Sequence, residues 1–298
     1  MTDAARTNAI GRPGRSSGLV RQRPIGVRLA RIVALAVIIG IGFNHVWWSI
    51  TDWHLSDMNA YWDAGMRLRL GEALYPPVTD VIASEVYRYS PWFAWLWAPL
   101  TLLPRVVVEI AWSAILLAAS VVAIWPMARR GAWIAVAFFL PILIGISAIG
   151  NVHALLIAAL VLSLERRSGP LWIAVAASLK IFPILLVIPY LGRRQWGKAA
   201  ATVVITAILF SPYLLYDLSN YVTSTGGGGL LSDVPVAYGA AVLATMGAAF
   251  FLARTRWAWL AASAAVVIAI PRSFLYDVSW ILVGAPDEPS RKPGENAT

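Results

Sequence analysis

The feature that most limits what this chain can fold into is its succession of apolar runs. They fall at 27–48, 106–127, 132–149, 152–164, 171–191, 199–215, 234–252 and 257–270. About 20 apolar residues suffice to cross a ~30 Å hydrocarbon layer as a helix. In that medium the backbone must satisfy its own polar groups, as only helices and closed barrels do. The runs are continuous rather than alternating, so the expected fold is all-α, a polytopic helical membrane protein. Charged residues make up 13% of the chain, against about 25% in soluble domains. A soluble helical core would need polar helix faces that this sequence does not supply.

Charge sets the orientation. The net charge is +9, and Arg6, Arg12, Arg15, Arg21 and Arg23 precede the first run against one acid, Asp3. The positive-inside bias puts this 1–26 tail in the cytoplasm, as a disordered juxtamembrane segment rather than a nucleic-acid arm. No nucleic-acid partner is expected. The 27–48 run is longer than a signal-peptide core, so it reads as a span. There is no cysteine, which removes disulfides, thiolate metal sites and cysteine nucleophiles. His45, His54 and His153 lack metal-ligand spacing, so no metal is expected.

The first span leaves the membrane at Trp47, Trp48 and Trp53, an aromatic belt. Residues 52–89 then form a first outer loop with a helix inside it. Ser56 or Asp57 suits its N-cap, Gly71 its end, and Tyr75-Pro76-Pro77 stops its continuation. Met58, Tyr61, Gly65 and Leu68 follow helical spacing and predict a face lying on the membrane surface. The pairs Arg129/Arg130, Arg166/Arg167 and Arg193/Arg194, with Lys198, all favour the cytoplasm. On that basis 132–149 runs outward, Gly150-Asn151 turns, and 152–164 returns. The 171–191 run becomes a broken hairpin with Lys180 and Pro183 near its tip, and 91–104, interrupted by Pro99, a re-entrant piece. The competing topology has every apolar run crossing.

A second outer loop follows at 217–233. It holds four glycines, 226–229, with no lysine after them and hence no phosphate loop of the Walker type. The chain returns to Arg254 and Arg256, runs outward to Pro271-Arg272, and ends in a short apolar piece and a polar 286–298 tail, expected to be disordered. The expected whole is a 27–285 multispanning domain with about 8–10 membrane segments, some short, broken or re-entrant. Leu215-Tyr216-Asp217 and Leu275-Tyr276-Asp277 echo one another, but three residues do not make a repeat.

This topology sends nine of the fifteen acids outward: Asp52, Asp57, Asp63, Glu72, Asp80, Glu85, Asp217, Asp233 and Asp277. Asp57 stands at the boundary between span and loop beside Trp53 and Tyr61, where partial desolvation suits a general base; the plainer reading is a helix cap. Asp63 and Glu72 read as solvated loop charges. Lys180 inside an apolar run costs about 2.5–3.5 kcal/mol on insertion scales unless protein, water or an anion faces it. It either snorkels to an interface or pairs with a phosphate. Arg88 and Arg272 stand beside breaks in the apolar runs, at headgroup level. Asn151 and His153 occupy a tight outer turn, which turn chemistry explains well for Asn151. Most tryptophans read as interface anchors, with Trp53 and Trp62 as weaker sugar-stacking candidates.

Several of these pieces occur together in order: Asp57-Met-Asn-Ala-Tyr61-Trp-Asp-Ala64-Gly65, Gly71-Glu-Ala-Leu-Tyr75, Tyr89-Ser-Pro91 and Ala98-Pro99-Leu-Thr-Leu-Leu-Pro104. Gly150-Asn151-Val-His153, Leu179-Lys180-Ile-Phe-Pro183 and Pro271-Arg-Ser-Phe-Leu-Tyr276-Asp277 continue the series. The set resembles glycosyltransferase family 87, the multispanning α-mannosyltransferase-like proteins of actinobacteria, which are similar to the GT-C class. Asn151 and His153 stand where the family's turn has Gln and Asn. The resemblance implies a polyprenyl-phosphate mannose or related donor, a lipid or glycan acceptor, no nucleotide sugar and no metal or other cofactor. It implies Asp57 as catalytic base, with Lys180, Arg88, Arg272, Tyr61, Asn151, His153 and Asp277 around the substrate and its phosphate. The enzyme would be an inverting hexosyltransferase in the plasma membrane, surrounded by membrane lipids, with an extracytoplasmic site. A transporter or flippase of lipid-linked sugars, or a non-catalytic relative, are the alternatives.

Overall fold

The computed structural model describes residues 25–80, 83, 85–221 and 234–285. The expectations for most of the N-terminal tail, for the tetraglycine and Asp233, and for the C-terminal tail lie outside these residues. Every regular element among the described residues is helical. In chain order these are α1 (Ile25–Thr51), α2 (Ser56–Leu70), α3 (Pro91–Trp97), α4 (Arg105–Arg129), α5 (Trp133–Ala148) and α6 (His153–Ser163). They continue with α7 (Gly169–Lys180), α8 (Ile188–Gly192), α9 (Trp196–Phe210), α10 (Pro235–Phe251) and α11 (Ala258–Ala269).

Tighter 3₁₀ turns connect or extend several of them, at Ala98–Leu102, Phe182–Val187, Ser211–Leu215 and Leu275–Gly284. The first three carry a proline at their start, where the missing N–H breaks the α ladder. Among the described residues four helical stretches are long and apolar enough to cross a membrane, at Ile32–Leu70, which takes in most of α1, and at Arg105–Arg129, Trp196–Leu215 and Pro235–Arg254. Five further apolar helical stretches are shorter. The protein is therefore polytopic and helical, with long and broken segments side by side. α1 packs on α5, α4 on α5 and α6, α7 on α9, and α10 on α11.

The bundle has two distinct ends. Arg105 opens α4 and its guanidinium bonds Asn59 of α2, while Arg129 closes α4 at the far end. Around that far end the chain turns at 164–168 and at 193–195. Arg193 meets Glu165 at 2.8 Å, Tyr190 donates to the Leu164 carbonyl at 2.6 Å, and Lys198 reaches the Glu165 carbonyl. The intervening segment, α7 through α8, thus begins and finishes at one end of the bundle. It reverses at Ile181, which has φ +56°, between Lys180 and the 3₁₀ turn.

Two sequence expectations about α2 are corrected. Neither Ser56 nor Asp57 caps it: the cap position is Leu55, in the left-handed conformation and without a side-chain bond. The apolar face does not lie on a membrane surface either. Met58, Tyr61 and Gly65 are buried, because α2 packs on α3 and on the 98–102 turn. A Cβ on Gly65 would stand 2.8 Å from the Trp97 backbone, so only glycine permits this approach. The C-terminal expectation holds: Gly71 closes the helix at φ +71° and bonds back to Arg67 and Leu68.

Candidate active site

Asp57 is positioned by backbone chemistry. A helix ends with unsatisfied carbonyls and begins with unsatisfied N–H groups. Here the two deficits answer each other: Leu55 N–H donates to the Ala148 carbonyl at 3.0 Å and Asp57 N–H to the Ile149 carbonyl at 2.9 Å. The start of α2 is thereby fastened to the end of α5. Gly150 follows with φ +79°, and a Cβ there would lie 2.6 Å from the Met58 Cβ. Left-handed backbone and close approach both require glycine at this junction.

The turn then delivers Asn151. Its Oδ1 accepts from His153 N–H at 2.9 Å, closing an Asx turn, and its Nδ2 donates to Asp57 Oδ2. Turn chemistry and carboxylate binding are thus two halves of one side chain. Asp57 Oδ1 meets no donor among the described residues, and the residue stays partly exposed. One oxygen is held while the other faces open space.

Aromatic residues wall this carboxylate. Tyr61 is fully buried, its hydroxyl accepting from Val152 N–H at 3.3 Å. Its ring packs edge-on against Tyr89 and Phe93 at centroid distances of 4.9 and 5.0 Å. Asn151 also donates to the Tyr89 hydroxyl at 3.3 Å. Trp112 of α4 bonds the Gly150 carbonyl at 2.8 Å. Seven residues separate Arg105 from Trp112, so the turn lies about 10 Å below the Arg105 end of α4 at 1.5 Å per residue. The site is a recess within the bundle, with α2 and α3 above it.

Lys180 enters the same recess from the reversal after α7. Its Nζ lies 5.9 Å from the Tyr89 ring centre and 5.2 Å from that of Tyr276, a cation resting against two π faces. It makes neither an ion pair nor a hydrogen bond among the described residues. The ammonium group rests against protein rings, near enough to act on the charges of Asp57 and Asp277. Arg88 and Lys180 are both electrostatic neighbours of Asp57. Arg88 is half-buried, and its guanidinium bonds the carbonyls of Val86 and Ala83 in its own loop. Arg272 stacks on Phe274 at 5.0 Å and is close enough to Arg88 to repel its charge.

His153 and Asp277 belong to the same assembly but have local partners. His153 is fully buried. Ser279 Oγ donates to the Tyr276 carbonyl at 2.6 Å and so accepts from His153 Nε2 at 2.9 Å. The imidazole also packs edge-on against Tyr276 and Trp280. Asp277 Oδ2 accepts from Phe274 N–H at 2.9 Å, capping the last 3₁₀ helix. His153 thus ties the C-terminal segment to the Asn151 turn, while the Asp277 bond stays within that segment. Asp217, its counterpart in the short echo, is exposed and bonds Ser219 among the described residues.

All eight residues singled out in the sequence thus meet in one region. Tyr89, Tyr276 and Ser279 complete it. The first two stood within quoted motifs, whereas nothing in the sequence marked Ser279. Trp53 is exposed and Trp62 lies beneath Arg105 at 5.8 Å, outside this group.

A family model, glycosyltransferase family 87, matches residues 87–270, more than half of the chain. The chain belongs to this family. It is a membrane glycosyltransferase by family and by its apolar helices. The matched region holds Arg88, Tyr89, Asn151, His153 and Lys180, while Asp57 precedes it and Asp277 follows it. Neither a curated protein nor a solved structure matches the chain.

Proposed function

We propose that this family 87 protein moves a hexose, mannose in the first instance, from a polyprenyl-phosphate sugar to a hydroxyl of a lipid or glycan acceptor. Asp57 removes the acceptor proton through its open oxygen. The acceptor oxygen attacks the anomeric carbon opposite the phosphate, the carbon–phosphate-oxygen bond breaks, and polyprenyl phosphate departs with the bonding electrons. A β-linked donor gives an α-linked product. Lys180, with Arg88 and Arg272, stabilises the charge that develops on the leaving phosphate. Tyr61 and Tyr89 exclude water around the carboxylate, and Asn151 fixes its orientation. His153 and Asp277 act by position, since their polar atoms bond neighbours of their own. The donor is a co-substrate, and the reaction so written uses no metal or other cofactor.

The observation that carries this reading is one region that brings together a half-open carboxylate and an ammonium group with no carboxylate at ion-pair distance among the described residues. Sidedness follows from charge. Arg166, Arg167, Arg193, Arg194 and Lys198 surround the far end of the bundle, which the positive-inside bias places in the cytoplasm. The recess then opens outward, in a multi-pass plasma-membrane protein. Transfer of labelled hexose from a polyprenyl-phosphate donor by the purified protein in detergent tests the proposal. Asp57→Asn is expected to cut transfer by about 10²–10⁴-fold with the fold intact, and wild-type rates in that variant would refute the role of Asp57.

A further inference from the structure

Beside the recess lies a second concavity that the reaction above does not use. It has a volume of about 310 Å³ and is built by the loop after α2, with Arg67 of α2 on one side and Asn220 on another. Thr79, Asp80 and Glu85 add further polar groups, and Tyr75 forms part of the wall. We propose that this cavity is a subsite for an uncharged sugar unit of the acceptor glycan, one residue removed from the reacting hydroxyl. The proposal rests on the glycosyl-transfer reading of the neighbouring recess.

The lining chooses among ligand classes. Asp80 and Glu85 stand beside Arg67 in the lining, an acidic balance that disfavours a phosphate and leaves the donor headgroup to Lys180, Arg88 and Arg272. Pro76, Pro77, Val78, Ala83 and Val86 form the apolar part of the lining, which suits the C–H faces of a sugar ring. Sugar hydroxyls are both donors and acceptors, and here Asp80 and Glu85 accept, Arg67 donates, and Asn220 and Thr79 do both. The volume stands at the lower end of the ~300–1,000 Å³ range of small-molecule sites, which suits one or two sugar rings.

The cavity is also joined to the chemistry by three consecutive residues. Tyr87 lines it, Arg88 bonds the Ala83 and Val86 carbonyls on its rim, and Tyr89 reaches Asn151 and through it Asp57. The wall is held in shape by stacked tyrosines. Tyr75 lies parallel to Tyr213 at 6.3 Å and edge-on to Tyr221 at 5.0 Å, and its hydroxyl donates to the Tyr89 carbonyl at 2.9 Å. A sugar held here would engage binding groups remote from the reacting bond, which serve to orient the acceptor.

The test uses the full chain in detergent and saturation-transfer NMR with methyl α-mannoside, methyl α-glucoside and methyl α-galactoside. At least one hexoside is expected to bind the wild type. Glu85→Gln with Arg67→Gln is expected to weaken that binding roughly tenfold or more, since hydrogen bonds to charged groups are lost. Thr79→Trp, which fills the cavity and keeps its charges, is expected to do the same, with unchanged thermal midpoints confirming folded protein. Asp57→Asn should bind the hexoside as the wild type does. No binding by any of the three hexosides, or binding indifferent to both cavity variants, would overturn the subsite. If Asp57→Asn still transfers sugar while the cavity variants lose hexoside binding, the subsite stands and only the base assignment falls.

Discussion

The two ends of the helix bundle use the same residue types in opposite ways. At the Glu165 end the charges are closed upon each other: Arg193 pairs with Glu165 at 2.8 Å, and Trp259 donates to the same carboxylate. Both Arg193 and Lys198 also lie over rings, those of Trp259 and Tyr190. At the Asp57 end Lys180 lies over rings too, yet no carboxylate comes within ion-pair distance among the described residues. A closed pair fastens helices and leaves nothing for a ligand. A cation held apart from nearby acids by aromatic spacers keeps its charge available. The difference separates a fastening from a site.

Exchange of the charges at the two ends should therefore have unlike consequences. The largest effect expected is on transfer in Asp57→Asn, a loss of about 10²–10⁴-fold, the usual contribution of a general base. Lys180→Met keeps the length and removes the charge. Its expected cost is about 10²–10³-fold in kcat, comparable to loss of one electrostatic stabiliser, with a thermal midpoint near that of the wild type. A stability loss without a rate loss would place Lys180 with Arg193 as a fastening. Asn151→Ala comes next. It frees Asp57 and opens the Asx turn, and about 1–3 kcal/mol of stability should go with the unsatisfied partners, together with a smaller kcat. Thermal unfolding and the transfer assay measure the two losses separately.

Much of this arrangement was legible in the residues before the fold was known. Apolar runs and proline breaks marked the helices, and the mixture of long and broken segments followed from where Pro99, Pro183 and Pro271 fall. Asp57 and Lys180 stood out because a charge beside or inside an apolar run needs a reason. The cap at Asp57 was misleading, because cap preference is local and the competing bonds come from α5, more than ninety residues away. The surface-lying face of α2 was misread for a related reason: helical spacing shows that one face is apolar, not whether lipid or protein covers it. The ring contacts of Lys180 and the Ser279 bond to His153 join positions 91 to 126 residues apart in chain order, and no spacing rule encodes such pairs.

The smallest effect expected is at the closed end, and pH gives it a sign. Burial raises the Glu165 carboxyl, but hydrogen bonds from Arg193 and Trp259 and the nearby cations outweigh it, so the group titrates below its ordinary value of 4.5. A depressed carboxylate contributes stability above its unfolded pKa and loses it as pH falls through the folded one. Glu165 is more than half exposed, which holds the contribution to about 1 kcal/mol or less. Glu165→Gln should thus lower the thermal midpoint slightly at neutral pH while leaving Lys180-dependent transfer near its wild-type rate. The gap to the wild type should stay constant down to the ordinary carboxylate value and close only below it. A gap that widens on acidification would mean that the Arg193 pair does not hold this end together, and the contrast with Lys180 would lose its closed member.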